Sequence, residues 1–327
     1  MRRFVRDIPA QAGLRALPGE EPRQRAARAA LVAAVVLGVI VRAYHVLRWS
    51  FPLNDGGLFF AMVRDLQAAD YRLPQVTTYN GEGITYGYSP FAFYVAGLVD
   101  DLTPLGLFDV FRLLPLLFTC GTLVVFVVLA RRFHASPVAL VSSIVAFAFI
   151  PRTFIWLLMG GGLTRSLGLV CALGALACVQ PLYARGDRRW LLPATLLSVA
   201  TVLAHLETGW FLAFSIALFF LAFGRTGRSA WHSAVLAGAT LALTAPWWGT
   251  VLAREGLEPF LAATSSSHSA WSSWEAARGV LLSIVRITAT SEPFFPLAGT
   301  IALVVALRAL AMGRYLLPVC LTAIFLL

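Results

Sequence analysis

Repeated apolar stretches of about twenty residues limit this chain more than anything else in it, because that length crosses a bilayer as a helix. Such runs fall near 29–47, 111–130, 164–183 and 233–252. In hydrocarbon, every backbone N–H and C=O must be bonded internally, which leaves helices or closed barrels. These runs are continuous rather than alternating, which argues against a barrel. The predicted fold class is therefore all-α: a polytopic transmembrane helical bundle. A chain with 59% hydrophobic and 13% charged residues is also far from the composition of a soluble domain.

Breaks between the runs predict eight or nine spans. Residues 1–28 carry Arg2, Arg3, Arg6, Arg15, Arg23, Arg25 and Arg28, a cytoplasmic tail that sets topology. The membrane domain is 29–327. Its first outer loop is 48–107. That loop holds a short amphipathic helix with Leu58, Met62 and Leu66 on one face, and an apolar piece from Phe91 to Val99 too short to span. Short helices at 191–204 and 209–223 form a tight pair, and a later outer loop covers 253–292. The chain stops at Leu327 inside another apolar run, which predicts a longer natural protein.

A net charge of +10 would suggest nucleic acid in a soluble chain. Here it reads as positive-inside turns at 131–132, 185–189, 225–228 and 308–314, with most acids on the other side. No lysine occurs, and arginine is the better fork for phosphate oxygens. Cys120, Cys171, Cys178 and Cys320 all lie in apolar runs, as small buried side chains do. Walker, dinucleotide-glycine and zincin motifs are absent, so soluble nucleotide chemistry is not indicated. The expected partners are membrane lipids, not nucleic acid.

Candidate chemistry collects on the acid-bearing side. Asn54-Asp55 stands where the first span leaves the bilayer, before two glycines. A carboxylate there suits a general base or a cation ligand. Helix capping is the plainer duty, and the two are compatible. His205 and Glu207 lie at the tip of the short pair, where polar groups are costly unless satisfied. With Asp55 they are the candidates for a divalent cation, although two ligands alone do not define a metal site. Arg165, after three glycines, and Arg112, Arg152 and Arg286 could meet an anionic head group. Tyr86 and Tyr88 could stack on sugar rings or sit in an interfacial belt. Asp100-Asp101 reads as a solvated loop.

The order of these parts resembles the GT-C membrane glycosyltransferases, which include protein O-mannosyltransferases and aminoarabinose transferases. Asn54-Asp55 stands where that family's acidic motif would be. Tyr86-Gly-Tyr-Ser-Pro-Phe-Ala-Phe-Tyr94 resembles its aromatic-proline segment. Phe111 to Arg132 is similar to its second helix, Trp190 to Phe223 to its short pair, and Ala245-Pro-Trp-Trp248 to its Pro-Trp motif. Two departures are Asn in the first acidic position and no acid in residues 151–163. Gly160-Gly-Gly-Leu-Thr-Arg165 and His205-Leu-Glu207 look like a less characterised bacterial branch.

The resemblance implies a glycosyltransferase in the bacterial cytoplasmic membrane with its N-terminus inside. The donor would be a polyprenyl-phosphate-linked sugar, and the acceptor a hydroxyl on a lipid, glycan or protein. Transfer would invert the anomeric centre, with Asp55 taking the acceptor proton. A transporter or flippase of lipid-linked sugars, or a non-catalytic GT-C-like scaffold, would use many of the same features. The absence of a convincing internal repeat counts against a transporter.

Overall fold

The computed structural model describes residues 20–52, 56–134, 136–261 and 311. Ten helices are described: α1 (Glu20–Leu47), α2 (Gly57–Ala68), α3 (Phe91–Leu102), α4 (Leu107–Ala130), α5 (Pro137–Phe149), α6 (Ile155–Leu158), α7 (Gly162–Arg185), α8 (Leu191–Ala204), α9 (Leu206–Phe223) and α10 (Gly227–Glu255). Among the described residues there is no named strand, only an isolated antiparallel bridge between Val76 and Thr85. Residues up to Trp248 form one compact unit and those from Gly249 a second.

Among the described residues five helices (α1, α4, α7, α9 and α10) are long and apolar enough to cross a membrane. This is a multi-pass membrane protein. Among the described residues, not all of the eight or nine expected spans reach that length. α5 stops after 13 residues, because Pro151 follows and holds Ile150 extended, at φ −68 and ψ 118. α8 stops after 14 residues at His205, also extended, at φ −158 and ψ 114. A further apolar run at 296–310 and most of the later outer loop lie outside the described residues.

The bundle is built around α7. Of its most apolar stretch 72% is buried, against at most 39% for the other four long helices. It packs on α4, α8 and α9. Small residues allow this: Ala172, Ala175 and Ala177 are buried along it, and small side chains let helix backbones approach. α1 shows the opposite pattern. Val32, Val36, Ile40, Tyr44 and Leu47 form an exposed stripe, while Leu31, Ala34 and Val46 face inward. Such an apolar exposed stripe suits lipid rather than water.

The segment between α1 and α4 closes one end of the bundle, called here the loop end. Met62, Val63 and Leu66 of α2 and Ala92, Phe93 and Ala96 of α3 are buried. They share a cluster with Val110 and Phe111 of α4, Leu163 and Leu167 of α7, and Ala204 of α8. Leu58 packs at its margin, so the amphipathic face expected for 58–66 is the one that docks. Asp100 and Asp101 are not a solvated loop. Gln67 Nε2 donates to both carboxylates at 2.8 Å, and the Tyr71 hydroxyl donates to Asp101 at 2.5 Å. These bonds tie α2 to α3. The connection between the two helices is held by Asp65, which accepts from Thr77 Oγ1, Thr78 N and Thr78 Oγ1 at 2.7–2.9 Å.

Candidate active site at the loop end of α7

The first loop meets α7 through two backbones. Gly56, the N-cap of α2, has φ +135, a conformation open to glycine and strained for other residues. A Cβ built on it would stand 2.8 Å from the carbonyl carbon and 2.9 Å from the Cα of Gly160. The turn that follows Asn54-Asp55 therefore lies directly on the glycine run that opens α7. Tyr79 adds a third wall: its Cε2 is 3.3 Å from the Cβ position of Gly57.

Two turns along α7, the hairpin between α8 and α9 arrives. A Cβ on Gly168 would be 3.0 Å from His205 Cβ and 3.3 Å from Thr208 Oγ1. His205 is buried and caps α9. Its Nδ1 accepts the Thr208 backbone N–H at 3.3 Å, which places the ring proton on Nε2. Burial first, and then the nearby positive charge of Arg165, disfavour a second proton. Nε2 points toward Glu207, with 3.7 Å to Oε2. With a neutral ring this is a polar contact rather than an ion pair. The Glu207 side chain is exposed.

Arg165 stands between these two approaches, on the first turn of α7 and half-buried. Among the described residues it has no hydrogen-bond or ion-pair partner. An uncommitted guanidinium beside a neutral histidine can receive an anion without first breaking an internal pair.

The other expected site residues are placed differently. Tyr86 is 2% exposed, and its hydroxyl donates to the Met62 carbonyl at 2.9 Å. Burial holds that hydroxyl protonated, and no ring face is open to a sugar. Tyr88 packs edge-on to Phe59, with centroids 4.8 Å apart, and keeps 38% exposure. Arg112 donates to Asp109 Oδ1 at 2.7 Å and to the Trp49 carbonyl, which ties the exit of α1 to α4. Asn54, Asp55 and Arg286 lie outside the described residues, as does the side chain of Arg152. Among the described residues no group of three or more metal-ligating side chains occurs.

Sequence reasoning missed the glycine contacts and Thr208. The glycines at 56, 160 and 168 were visible as residues, but nothing in their spacing says which backbone each touches. Thr208 had no such signal either, because the usual helix-start pattern has Ser, Thr, Asp or Asn as the cap and the cap here is His205. Compared with family models and with curated proteins, the sequence has no match.

Proposed function

We propose that this chain is a membrane glycosyltransferase. It moves a sugar from a polyprenyl-phosphate donor to an acceptor hydroxyl on the extracytoplasmic side of a bacterial inner membrane, with inversion. The observation that carries this reading is the meeting of three segments at one end of α7. The turn after Asn54-Asp55 rests on Gly160, Arg165 stands uncommitted on the next turn, and His205 abuts Gly168.

In this mechanism Asp55 accepts the proton of the attacking hydroxyl, a role that requires it to reach that hydroxyl by a hydrogen bond. The acceptor oxygen bonds to the anomeric carbon as the bond to the lipid phosphate breaks. Negative charge grows on the departing phosphate, and Arg165 stabilises it there. The Nε2–H of neutral His205 serves as a donor to substrate oxygen, and the Thr208 contacts at Nδ1 keep that ring oriented. The chemistry requires nothing of Tyr86 or Arg112.

The test is transfer of a labelled sugar from a polyprenyl-phosphate donor in reconstituted vesicles. Asp55→Asn should lower transfer about 10²- to 10⁴-fold with little change in membrane insertion or melting temperature. Full activity in that variant removes Asp55 from the mechanism. Movement of unaltered lipid-linked sugar across the vesicle, without transfer, replaces the enzyme reading with a flippase.

A further inference from the structure

The end of the bundle opposite the first loop gathers arginines that the transfer reaction does not use. Arg131 and Arg132 follow α4, Arg185 closes α7, Arg188 and Arg189 lie in the turn before α8, and Arg228 opens α10. A positive-inside bias accounts for which side they occupy. It does not account for their arrangement, since arginines splayed into water would satisfy it equally well.

Three separate chain segments meet here. The Arg132 guanidinium lies over the Trp190 ring, 5.3 Å from its centroid, and is within electrostatic reach of Arg185. Arg228 approaches the residue next to Arg185: its terminal Nη1 is 3.2 Å from a Cβ built on Gly186. Trp190 belongs to a cluster with Leu182 and Tyr183 of α7 and Leu236 of α10, so both approaches reach the same helix ends. The carboxylate in this turn, Asp187, is engaged by Arg189 Nε at 2.6 Å and by the Trp190 side chain. Among the described residues no carboxylate pairs with Arg132, Arg185 or Arg228.

Like charges gathered with one carboxylate among them, itself taken up by Arg189, still repel, and the repulsion is relieved by an anion placed among them. Guanidinium forks match phosphate oxygens. Indole rings favour the head-group level, and Trp190 leads directly into an exposed apolar face of α8, at Leu192 and Leu196. That face would take an acyl chain, which a free phosphate lacks. We infer that Arg132, Arg185 and Arg228, with Trp190, hold the phosphate of an acidic membrane phospholipid at the arginine-rich end of α4, α7 and α10. This site is independent of the transferase reading.

The test uses the full chain in nanodiscs of phosphatidylcholine with graded phosphatidylglycerol, reading retained lipid by native mass spectrometry. Wild type should retain phosphatidylglycerol at least about tenfold over phosphatidylcholine. Arg132→Gln with Arg185→Gln should lose most of that preference. Arg28→Gln with Arg131→Gln removes the same charge from this end of the bundle but outside the three-arginine site, and should keep it within about twofold. If the first pair fails to fold, Arg132→Lys with Arg185→Lys retains charge without the fork and should weaken retention several-fold. Equal loss in both glutamine pairs means a diffuse field and overturns the site. So does an absence of lipid preference in wild type, undiminished retention in the lysine pair, or displacement of the lipid by millimolar inorganic phosphate.

Discussion

Arg42 is the residue whose surroundings say most about how the bundle tolerates charge. It lies within the membrane-crossing stretch of α1 and is fully buried. Its Nη1 donates to the carbonyls of Gly38 at 3.0 Å and Ala148 at 2.7 Å, and its Nη2 to Phe147 at 3.3 Å. The guanidinium also lies 4.4 Å from the Phe154 ring centroid. Helices end with carbonyls that have no internal partner, and Arg42 supplies partners where Pro151 has cut α5 short. Arg42→Met should therefore cost about 2 kcal/mol or more, since hydrogen bonds to a charged group are worth ~1.5–3 kcal/mol each. Arg42→Lys should cost less. Unfolding midpoints in detergent measure both, and an unchanged midpoint in Arg42→Met would mean the three bonds contribute nothing. An arginine inside an apolar run was a visible signal of such a role. Its partners lie on another helix, and sequence spacing does not reveal them.

At the scale of elements, the α2–α3 pair has its own fastening. Burial, and after it the hydrogen bond to Asp101, push the Tyr71 hydroxyl up from 10.0 to about 12. The folded value is raised, so the contribution to stability is complete below pH 10.0 and is lost as pH rises through about 12. Amide exchange in residues 57–102 should stay slow from neutral pH to about 10 and accelerate above it, after correction for intrinsic rates. In Tyr71→Phe that added step should vanish, and a step that persists would remove Tyr71 from the fastening. The docking face of α2 was legible, because Met62 and Leu66 recur at helical spacing. The role of Asp100-Asp101 was not. An acidic pair at a helix end looks the same in sequence whether it faces water or a glutamine from another helix.

For the whole molecule, the apolar centres of the five long helices were readable because hydrocarbon length is a hard requirement, but their ends were not: α1 begins at Glu20, inside the tail expected for 1–28, and α10 runs from Gly227 to Glu255 rather than over 233–252. α1, α4, α7, α9 and α10 fall on runs picked out by hydropathy. What hydropathy does not show is that α7 is central, since each run is apolar whichever neighbour it meets. The charge distribution then makes a prediction about sidedness. Single cysteines in a cysteine-free background at residue 81, between α2 and α3, should react with an impermeant thiol reagent added outside intact cells. Cysteines at 187 and 226 should react only after permeabilisation. The reverse pattern would turn the molecule over and put the candidate site in the cytoplasm.

The meeting of Gly56 and Gly160 carries one more consequence. Where two main chains touch, no side chain lies between them to yield, and neither segment can shift without pushing the other. On the proposed transferase reading, a substrate that presses the first loop further onto Gly160 also presses on the turn that opens α7, and Arg165 rides on that turn. In the proposed transfer reaction, capture of the acceptor and alignment of Arg165 with the departing phosphate would then be a single mechanical event.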